Sequence, residues 1–152
     1  MAHIHEKLDF VISAFIVYEG RVLLVQHPRY DMWLPMGGHI ELDEDSDQAL
    51  FREIREETGL EVEIMSHKHS TMDTTTKPLY SPNYMEVYDA NPPHRHISLT
   101  YFARAKNDNH ILSSEHSEIR WLSESELDDP QYKLTDSIKF FCREALKLSK
   151  TF

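Results

Sequence analysis

Cysteine and long apolar runs are what this sequence lacks most clearly. Its 152 residues include one cysteine, Cys142, which excludes an internal disulfide framework and fits a reducing cytoplasm. The apolar stretch at residues 10–17 is too short to cross a bilayer, and acidic residues precede it where a signal peptide carries basic ones. We therefore expect a cytoplasmic protein with no signal peptide and no membrane partner.

Basic residues are also scarce. Lysine and arginine total 16 against 26 aspartates and glutamates, which gives a formal net charge of −10 at pH 7. A field of this sign repels nucleic acids and anionic membranes. A small phosphorylated substrate can still bind where a divalent cation reverses the local sign. Small-molecule partners are therefore expected, and nucleic-acid partners are not.

The remaining composition suits one folded domain. A chain of 152 residues can bury a full core, and its hydrophobic content is 40%. No repeat or low-complexity linker divides it, so residues 1–152 are predicted to form a single domain. Cys142 shares an apolar helical pattern with Ile138, Phe141 and Ala145, and we therefore predict that it lies in the core.

A cluster of carboxylates is the most informative feature present. Glu53, Glu56 and Glu57 are spaced three and four residues apart, so they share one face of a helix. Three acids on one face repel each other and destabilise the helix unless something neutralises them. Hard cations such as Mg²⁺ or Mn²⁺ prefer oxygen ligands and keep substrate phosphates in their coordination shell. The pattern therefore indicates a divalent cation site.

The limits of this helix can be read from the sequence. Acidic residues crowd residues 43–47, where they suit the positive end of the helix dipole, and Ser46 can cap the helix. Gly59 is the residue type expected just past the end. The helix is therefore predicted from about Ser46 to Thr58.

Residues 38–60 resemble the Nudix box, GX5EX7REUXEEXGU, in which U is aliphatic. Every fixed position is filled; the residues are Gly38, Glu44, Arg52, Glu53, Ile54, Glu56, Glu57, Gly59 and Leu60. The preceding residues 33–38 and the later residues 118–127 also look like the flanks of this family, with Met36 inserted where many members run from proline to glycine. The chain thus resembles the MutT-like Nudix hydrolases over most of its length.

The resemblance implies roles for the matched residues. Glu53, Glu56 and Glu57 would bind Mg²⁺ or Mn²⁺, with Gly38 offering a backbone carbonyl. Arg52 would orient the glutamates, and Glu53 would also act as general base, a role in which family members differ. The expected catalytic residues are therefore Glu53, Arg52 and Glu57. Water would attack a phosphorus atom of a nucleoside diphosphate derivative while the cation neutralises the phosphate oxygens.

Other acidic residues leave the number of metals open. Glu44 matches a box position that is more often structural than catalytic. Glu41 lies in the box loop, where it either ligates a second metal or contacts the substrate, or is simply exposed to solvent. Some family members carry a further acid on a late loop, for which Glu115 and Glu118 are candidates with His116 between them. Each of these late residues can equally be ordinary surface.

A basic cluster is the candidate for substrate binding. On a strand His94 and His96 share a face, and Arg95 points the other way, where it can bind a phosphate through two hydrogen bonds. The alternative is a hydrated hairpin end. The tyrosines of residues 80–88 can stack a base, although aromatic side chains on a strand more often pack against the core.

The rest of the chain alternates strands with one further helix. Residues 9–18 and 21–27 predict a hairpin that turns at Glu19 and Gly20. Further strands are predicted at residues 61–68, 84–88, 94–105 and 116–122, and an amphipathic helix at residues 135–148. A mixed β-sheet with one helix early and one late fits an α/β/α sandwich, which the resemblance also implies.

The expected function is metal-dependent hydrolysis of a nucleoside triphosphate to the monophosphate and pyrophosphate. This substrate is chosen because the residues that mark other Nudix subfamilies are missing outside the box. The alternative is a Nudix-fold sensor that binds a nucleotide without cleaving it, although such modules commonly lose box glutamates. An isopentenyl-diphosphate isomerase would need a cysteine near the box, and Cys142 is far from it in the sequence. A homodimer is possible but not required.

Overall fold

The computed structural model describes residues 4–70 and 73–152. Within these residues the chain forms eight strands and two α-helices. In chain order they are β1 (Leu8–Tyr18), β2 (Arg21–His27), β3 (Met32–Leu34), β4 (Met36–His39), α1 (Ser46–Thr58), β5 (Val62–Ile64), β6 (Tyr84–Asn91), β7 (His94–Ala105), β8 (Glu118–Ser123) and α2 (Asp136–Ser149). Two short 3-10 turns, Glu124–Asp128 and Pro130–Tyr132, join β8 to α2.

One mixed sheet contains all eight strands, as predicted. The central strand β1 runs antiparallel to β2 and parallel to β7. The main path through the sheet is β3-β2-β1-β7-β5, and β4, β6 and β8 pair with β1, β7 and β2. The predicted hairpin is confirmed, and Glu19 and Gly20 both take positive φ angles, 46° and 75°, as a tight hairpin turn requires.

The two faces of the sheet carry separate cores, because strand side chains alternate between faces. On one face α1 packs Leu50 and Ile54 against Ile12 of β1. On the other face α2 packs Phe141 and Cys142 against a core that includes Phe15. Burying each large apolar side chain contributes roughly 1.5–3 kcal/mol. The α/β/α sandwich and the core position of Cys142 are therefore confirmed.

The N-terminus of α1 differs from the prediction in its cap. Asp45, not Ser46, is the capping residue, because its backbone is extended (φ −88°, ψ 171°) and its carboxylate accepts the N–H of Gln48 at 2.9 Å. The Gln48 side chain accepts the N–H of Asp45 in return. At the other end Gly59 takes a φ of 68° and donates its N–H to the Arg55 carbonyl, as expected.

Two further boundaries changed. The strand predicted at residues 61–68 is shortened to β5, because only three residues pair with β7 before the chain turns away. The strand predicted at residues 84–88 extends to Asn91, where a turn leads into β7. Within the described residues, neither helix combines the length and apolar character needed to cross a membrane.

Candidate active site

The carboxylates of α1 lie against the glycine-containing strand β4. Glu53 and Glu57 are each only 3% exposed, whereas Glu56 lies at the surface. A Cβ atom on Gly38 would lie 2.1 Å from Oε1 of Glu53, so any larger residue at position 38 would displace that carboxylate. Glycine is therefore required at Gly38 by close approach to the site.

Arg52 organises the site through its guanidinium group. Its Nε and Nη2 donate to the two carboxylate oxygens of Glu44 at 2.5 and 2.9 Å. Its Nη1 donates to Oε1 of Glu53 at 2.7 Å, and Nη2 also donates to the His39 carbonyl at 3.1 Å. The hydrogen bonds from Arg52 hold the pKa of Glu44 below its ordinary value and raise that of Arg52. This planar network fixes Glu53 from one side.

Burial makes the charged form of the buried glutamates costly. Burial, with a contribution from the neighbouring Glu57 and Glu56, raises the pKa of Glu53 to about 7, although Arg52 opposes this rise. Burial likewise raises the pKa of Glu57, and His116 counteracts part of that rise. A shifted pair of carboxylates in one cleft is typical of catalytic and metal sites.

A late loop reaches the site, and His116 is the residue that it contributes. Nε2 of His116 lies 3.3 Å from Oε2 of Glu57, and this contact raises the pKa of His116. Donor atoms of Glu57, Glu115 and His116 all lie within 4.8 Å of one another. Glu118, the other late-loop candidate, instead pairs with Arg120. The structure thus brings Glu115 and His116 to the α1 carboxylates.

The donor set fits a hard divalent cation. Mg²⁺ and Mn²⁺ prefer carboxylate oxygens as ligands. A divalent charge would also offset the repulsion between these carboxylates and the cost of burying their charges. Glu53 and Glu57 would supply buried oxygens and Glu56 an exposed one, with Gly38 directly beside Glu53. The residues present are therefore suited to the cation that the sequence predicts.

Of the predicted substrate-binding residues, His94, Arg95 and His96 lie on strand β7, whereas Glu41 lies in the loop before α1. His94 is buried and Arg95 is exposed, so their side chains do point to opposite faces. Arg95 pairs across the ladder with Asp89 of β6. Glu41 is half-buried in the loop that leads to α1, where its backbone N–H donates to Glu44. A substrate role for His94, Arg95, His96 and Glu41 stays a prediction.

The three tyrosines have different neighbours and do not form one stacking surface. Tyr80 packs against Phe51, with Lys68 above its ring. Tyr84 contacts aromatic residues of the core, and Tyr88 contacts His96. These contacts agree with packing as the main role of the tyrosines.

Sequence reasoning missed two residues near the site. The backbone carbonyl of His39 accepts from Arg52, and its side chain lies beside Asp9. Asp9 is only 2% exposed, which is unusual for an aspartate on a strand. The sequence could have indicated His39 through its position next to Gly38 in the box. It could not indicate Asp9, because the pairing of β1 with β4 brings Asp9 to His39.

Comparison with known proteins identifies the family. The profile of the NUDIX domain matches residues 8–143. The chain belongs to the NUDIX domain family. A hydrolase of this family from Clostridium perfringens has the same fold, with a TM-score of 0.80, 30% sequence identity and coverage of 93% of this chain and 97% of that one. An Ap4A hydrolase from C. elegans shares the NUDIX fold, with a TM-score of 0.67 and 19% identity over 95% and 99% of the two chains.

Two relatives with described activities match over shorter NUDIX segments. A CTP pyrophosphohydrolase of Escherichia coli (strain K12) is 40% identical over 62 residues, which are 38% of this chain and 46% of that protein. An m7GpppN-mRNA hydrolase of Xenopus laevis is 31% identical over 85 residues, which are 56% and 26% of the two chains. The chain therefore spans less than half the length of each of these relatives.

Proposed function

We propose that this NUDIX domain is a pyrophosphohydrolase that depends on Mg²⁺ or Mn²⁺. Its substrate is a nucleoside triphosphate, which reacts with water to give the nucleoside monophosphate and pyrophosphate. The observation that carries the proposal is the burial of Glu53 and Glu57, with Glu53 beside Gly38 and bound to Arg52 at 2.7 Å. Such a costly arrangement is explained by a cation and an anionic substrate that bind there.

Each residue of the site has a role in this proposal. When bound, the cation neutralises phosphate oxygens and lowers the pKa of water. Glu53, Glu56 and Glu57 would hold the cation, and Arg52 keeps Glu53 in one orientation. Glu53 would also accept the proton of the attacking water, because its carboxylate lies in the same cleft. His116 contacts the Glu57 carboxylate at 3.3 Å and would help to hold it in place.

The choice of substrate rests on chemistry and on one relative. Hydrolysis forms an oxygen–phosphorus bond from water and breaks one phosphoanhydride bond. Every nucleoside diphosphate derivative contains such a bond, so the reaction alone does not select among these substrates. The E. coli relative is described as a CTP pyrophosphohydrolase, which favours a triphosphate. We further propose that residues 1–152 act as one domain, in the cytoplasm, with a small-molecule partner; the net charge of −10 disfavours nucleic acid as a partner.

The proposal is tested by product release from a panel of nucleotides. Nucleoside triphosphates, dinucleoside polyphosphates and nucleotide sugars are incubated with Mg²⁺ or Mn²⁺, and the products are passed through pyrophosphatase or phosphatase. We expect cleavage of one class, dependent on the cation. Glu57→Gln should lower kcat by roughly 10²-fold or more, because a ligand charge is lost where transition-state charge develops.

Glu61→Gln is the matched control, because Glu61 is exposed, lies just beyond the same helix and pairs only with Lys106 among the described ion pairs. It should leave turnover within about twofold, as surface substitutions usually do. Unchanged turnover in Glu57→Gln would refute the assigned site. Tight nucleotide binding without turnover across the panel would instead support a sensor.

A further inference from the structure

Four side chains of metal-binding type meet on the sheet face opposite α1. Asp9 of β1 pairs with His96 of β7, and Val11 of β1 pairs with His39 of β4. Because alternate residues share a face, Asp9, His39 and His96 point the same way, and His94 lies two residues before His96. Gly38 faces α1, so His39 faces away from it. We call these four residues the histidine cluster.

The spacing within the histidine cluster is close to that of metal ligands. Oδ2 of Asp9 lies 3.3 Å from Nε2 of His39 and 3.3 Å from Nε2 of His94. Donor atoms of Asp9, His94 and His96 all lie within 4.8 Å of one another. Tetrahedral ligands at zinc–nitrogen distances place their donor atoms roughly 3.3 Å apart. His39 joins these three residues through its contact with Asp9, and movements of the imidazoles would bring the four donors onto one ion.

Burial and hydrogen bonds keep a negative charge inside the histidine cluster. Asp9 is 2% exposed, His94 4% and His39 8%. Although burial raises the pKa of Asp9, the backbone N–H groups of His5 and Ile4, at 2.6 and 3.1 Å, and the two neighbouring histidines bring it below its ordinary value. A buried carboxylate that stays ionised among imidazole rings is a suitable oxygen donor for a divalent cation.

His94 has the orientation of a metal-binding histidine. Its Nδ1 lies 3.1 Å from the Glu6 carbonyl, which can only accept, so Nδ1 carries a proton. In the neutral ring the lone pair is then on Nε2, which faces Asp9. His96 is similarly oriented by Tyr88, whose hydroxyl lies 3.2 Å from its Nδ1. A carbonyl or hydroxyl that holds the outer nitrogen is the usual support of a metal-ligating histidine.

We propose that Asp9, His39, His94 and His96 bind a Zn²⁺ ion at a site separate from the carboxylates of α1. Three imidazole nitrogens and one carboxylate oxygen suit Zn²⁺, whereas Mg²⁺ prefers oxygen ligands and retains water. The site is structural, because four protein ligands fill a tetrahedral shell. This proposal does not depend on the proposed hydrolysis.

Zinc at the histidine cluster would hold the end of β4 in place. His39 follows Gly38, and its backbone carbonyl accepts the Nη2 hydrogen of Arg52 at 3.1 Å. Fixing the His39 side chain on one face therefore fixes the carbonyl that supports Arg52 on the other. The zinc site would thus position the strand against which Glu53 packs, without touching the substrate.

The direct test is metal titration of the full chain. The protein is purified without a polyhistidine tag, stripped with a chelator and titrated with Co²⁺, whose tetrahedral complexes absorb visible light strongly. We expect one bound equivalent with this spectrum, which Zn²⁺ displaces. His96→Gln and His39→Gln should each weaken Zn²⁺ binding by about 10- to 100-fold in competition with a chelating dye. Two variants are used so that a folding defect in one, detected by circular dichroism, leaves the other informative.

Matched controls separate the two candidate metal groups of the described residues. His116→Gln disrupts the Glu57, Glu115 and His116 group, and His67→Gln removes an exposed histidine that packs against Phe152. Both should keep the Co²⁺ spectrum. The proposal is overturned if no tetrahedral spectrum forms, or if His116→Gln abolishes it while His96→Gln and His39→Gln do not. It is equally overturned if nuclear magnetic resonance shows an imidazolium of His94 paired with Asp9 that added Zn²⁺ does not alter.

Discussion

At the scale of single residues, Arg52 connects the parts of the candidate site. One guanidinium group reaches Glu44, Glu53 and the His39 carbonyl. Lysine has a single ammonium group and cannot present this planar set of donors. The charged form of Glu53 remains costly even beside Arg52, since burial still raises the pKa of Glu53 to about 7. The buried carboxylates therefore favour cation binding, and they lower the stability of the protein when no cation is bound.

This cost predicts that Glu53→Gln stabilises the metal-free protein at pH 8. Burial raises the pKa of Glu53 from 4.5 to about 7 in the folded state. The stabilising effect of the bound proton is complete below pH 4.5 and is lost as the pH rises through 7. Glutamine stays neutral, so the variant should exceed the parent by about 1–3 kcal/mol at pH 8 and by much less near pH 5.

Urea unfolding in the presence of EDTA measures this difference. Glu63→Gln is the control, because the Glu63 side chain is 60% exposed and its contact with Arg104 is long, at 3.5 Å. It should show no comparable change between the two pH values. A parent protein that is as stable as Glu53→Gln at pH 8 would contradict the proposed cost of burial.

At the scale of elements, the short strand β4 serves both faces of the sheet. Gly38 lies against Glu53 on the α1 side, and His39 joins the histidine cluster on the other. A Cβ on Gly37 would lie 2.2 Å from the Ile12 carbonyl, so the strand can lie this close to β1 only with glycine there. At the N-terminus of α1, the capping box of Asp45 and Gln48 fixes where the helix begins.

The cap of α1 gives a prediction at this scale. Asp45→Ala should lower the free energy of unfolding by about 1 kcal/mol, because the N–H of Gln48 loses its acceptor. Asp45 also pairs with Lys77 at 2.7 Å, at the surface. Asp45→Asn keeps a capping oxygen and removes the charge, so it should cost only a few tenths of a kcal/mol. Thermal or urea unfolding of both variants measures the two contributions.

Equal losses in Asp45→Ala and Asp45→Asn would show that the ion pair with Lys77, rather than the cap, stabilises this turn. The sequence predicts the cap at Ser46 because two adjacent residues are suited to that position. Asp45 and Ser46 are both good capping residues, and only the backbone geometry shows that Ser46 is already inside the helix.

At the scale of the whole molecule, one sheet separates two cores. The core on the α2 side contains Cys142, which is fully buried, and burial raises the pKa of its thiol to about 12. The thiolate is the reactive form, so burial protects Cys142 in two ways: it blocks the approach of reagents and it suppresses ionisation of the thiol. Cys142 therefore reports on opening of the α2 core as a unit.

We expect Cys142 to resist a thiol reagent such as DTNB at pH 8 in the native protein and to react within seconds to minutes in denaturant. Its rate in dilute denaturant should follow global unfolding, because α2 packs directly on the sheet. Absorbance of the released chromophore measures the rate. Rapid labelling of native protein, at the rate of a free thiol, would show that α2 detaches from the core by itself.

Features that depend on local spacing were predictable from the sequence alone. The box helix, its terminal Gly59, the hairpin at Glu19 and Gly20 and the strand at residues 94–105 all follow from periodicity and turn chemistry, and the structure has them. The carboxylate face of α1 was equally predictable, since three- and four-residue spacing alone places acids together on a helix.

Contacts between residues that are distant in the sequence depend on how the strands pair. The parallel pairing of β1 with β7 and the pairing of β4 with β1 bring Asp9 to His39, His94 and His96, although they are far apart in sequence. The late loop likewise carries His116 to Glu57. Local patterns specify elements and their faces, but the register between strands follows from burial of the whole core, so contacts across strands cannot be read from either strand alone.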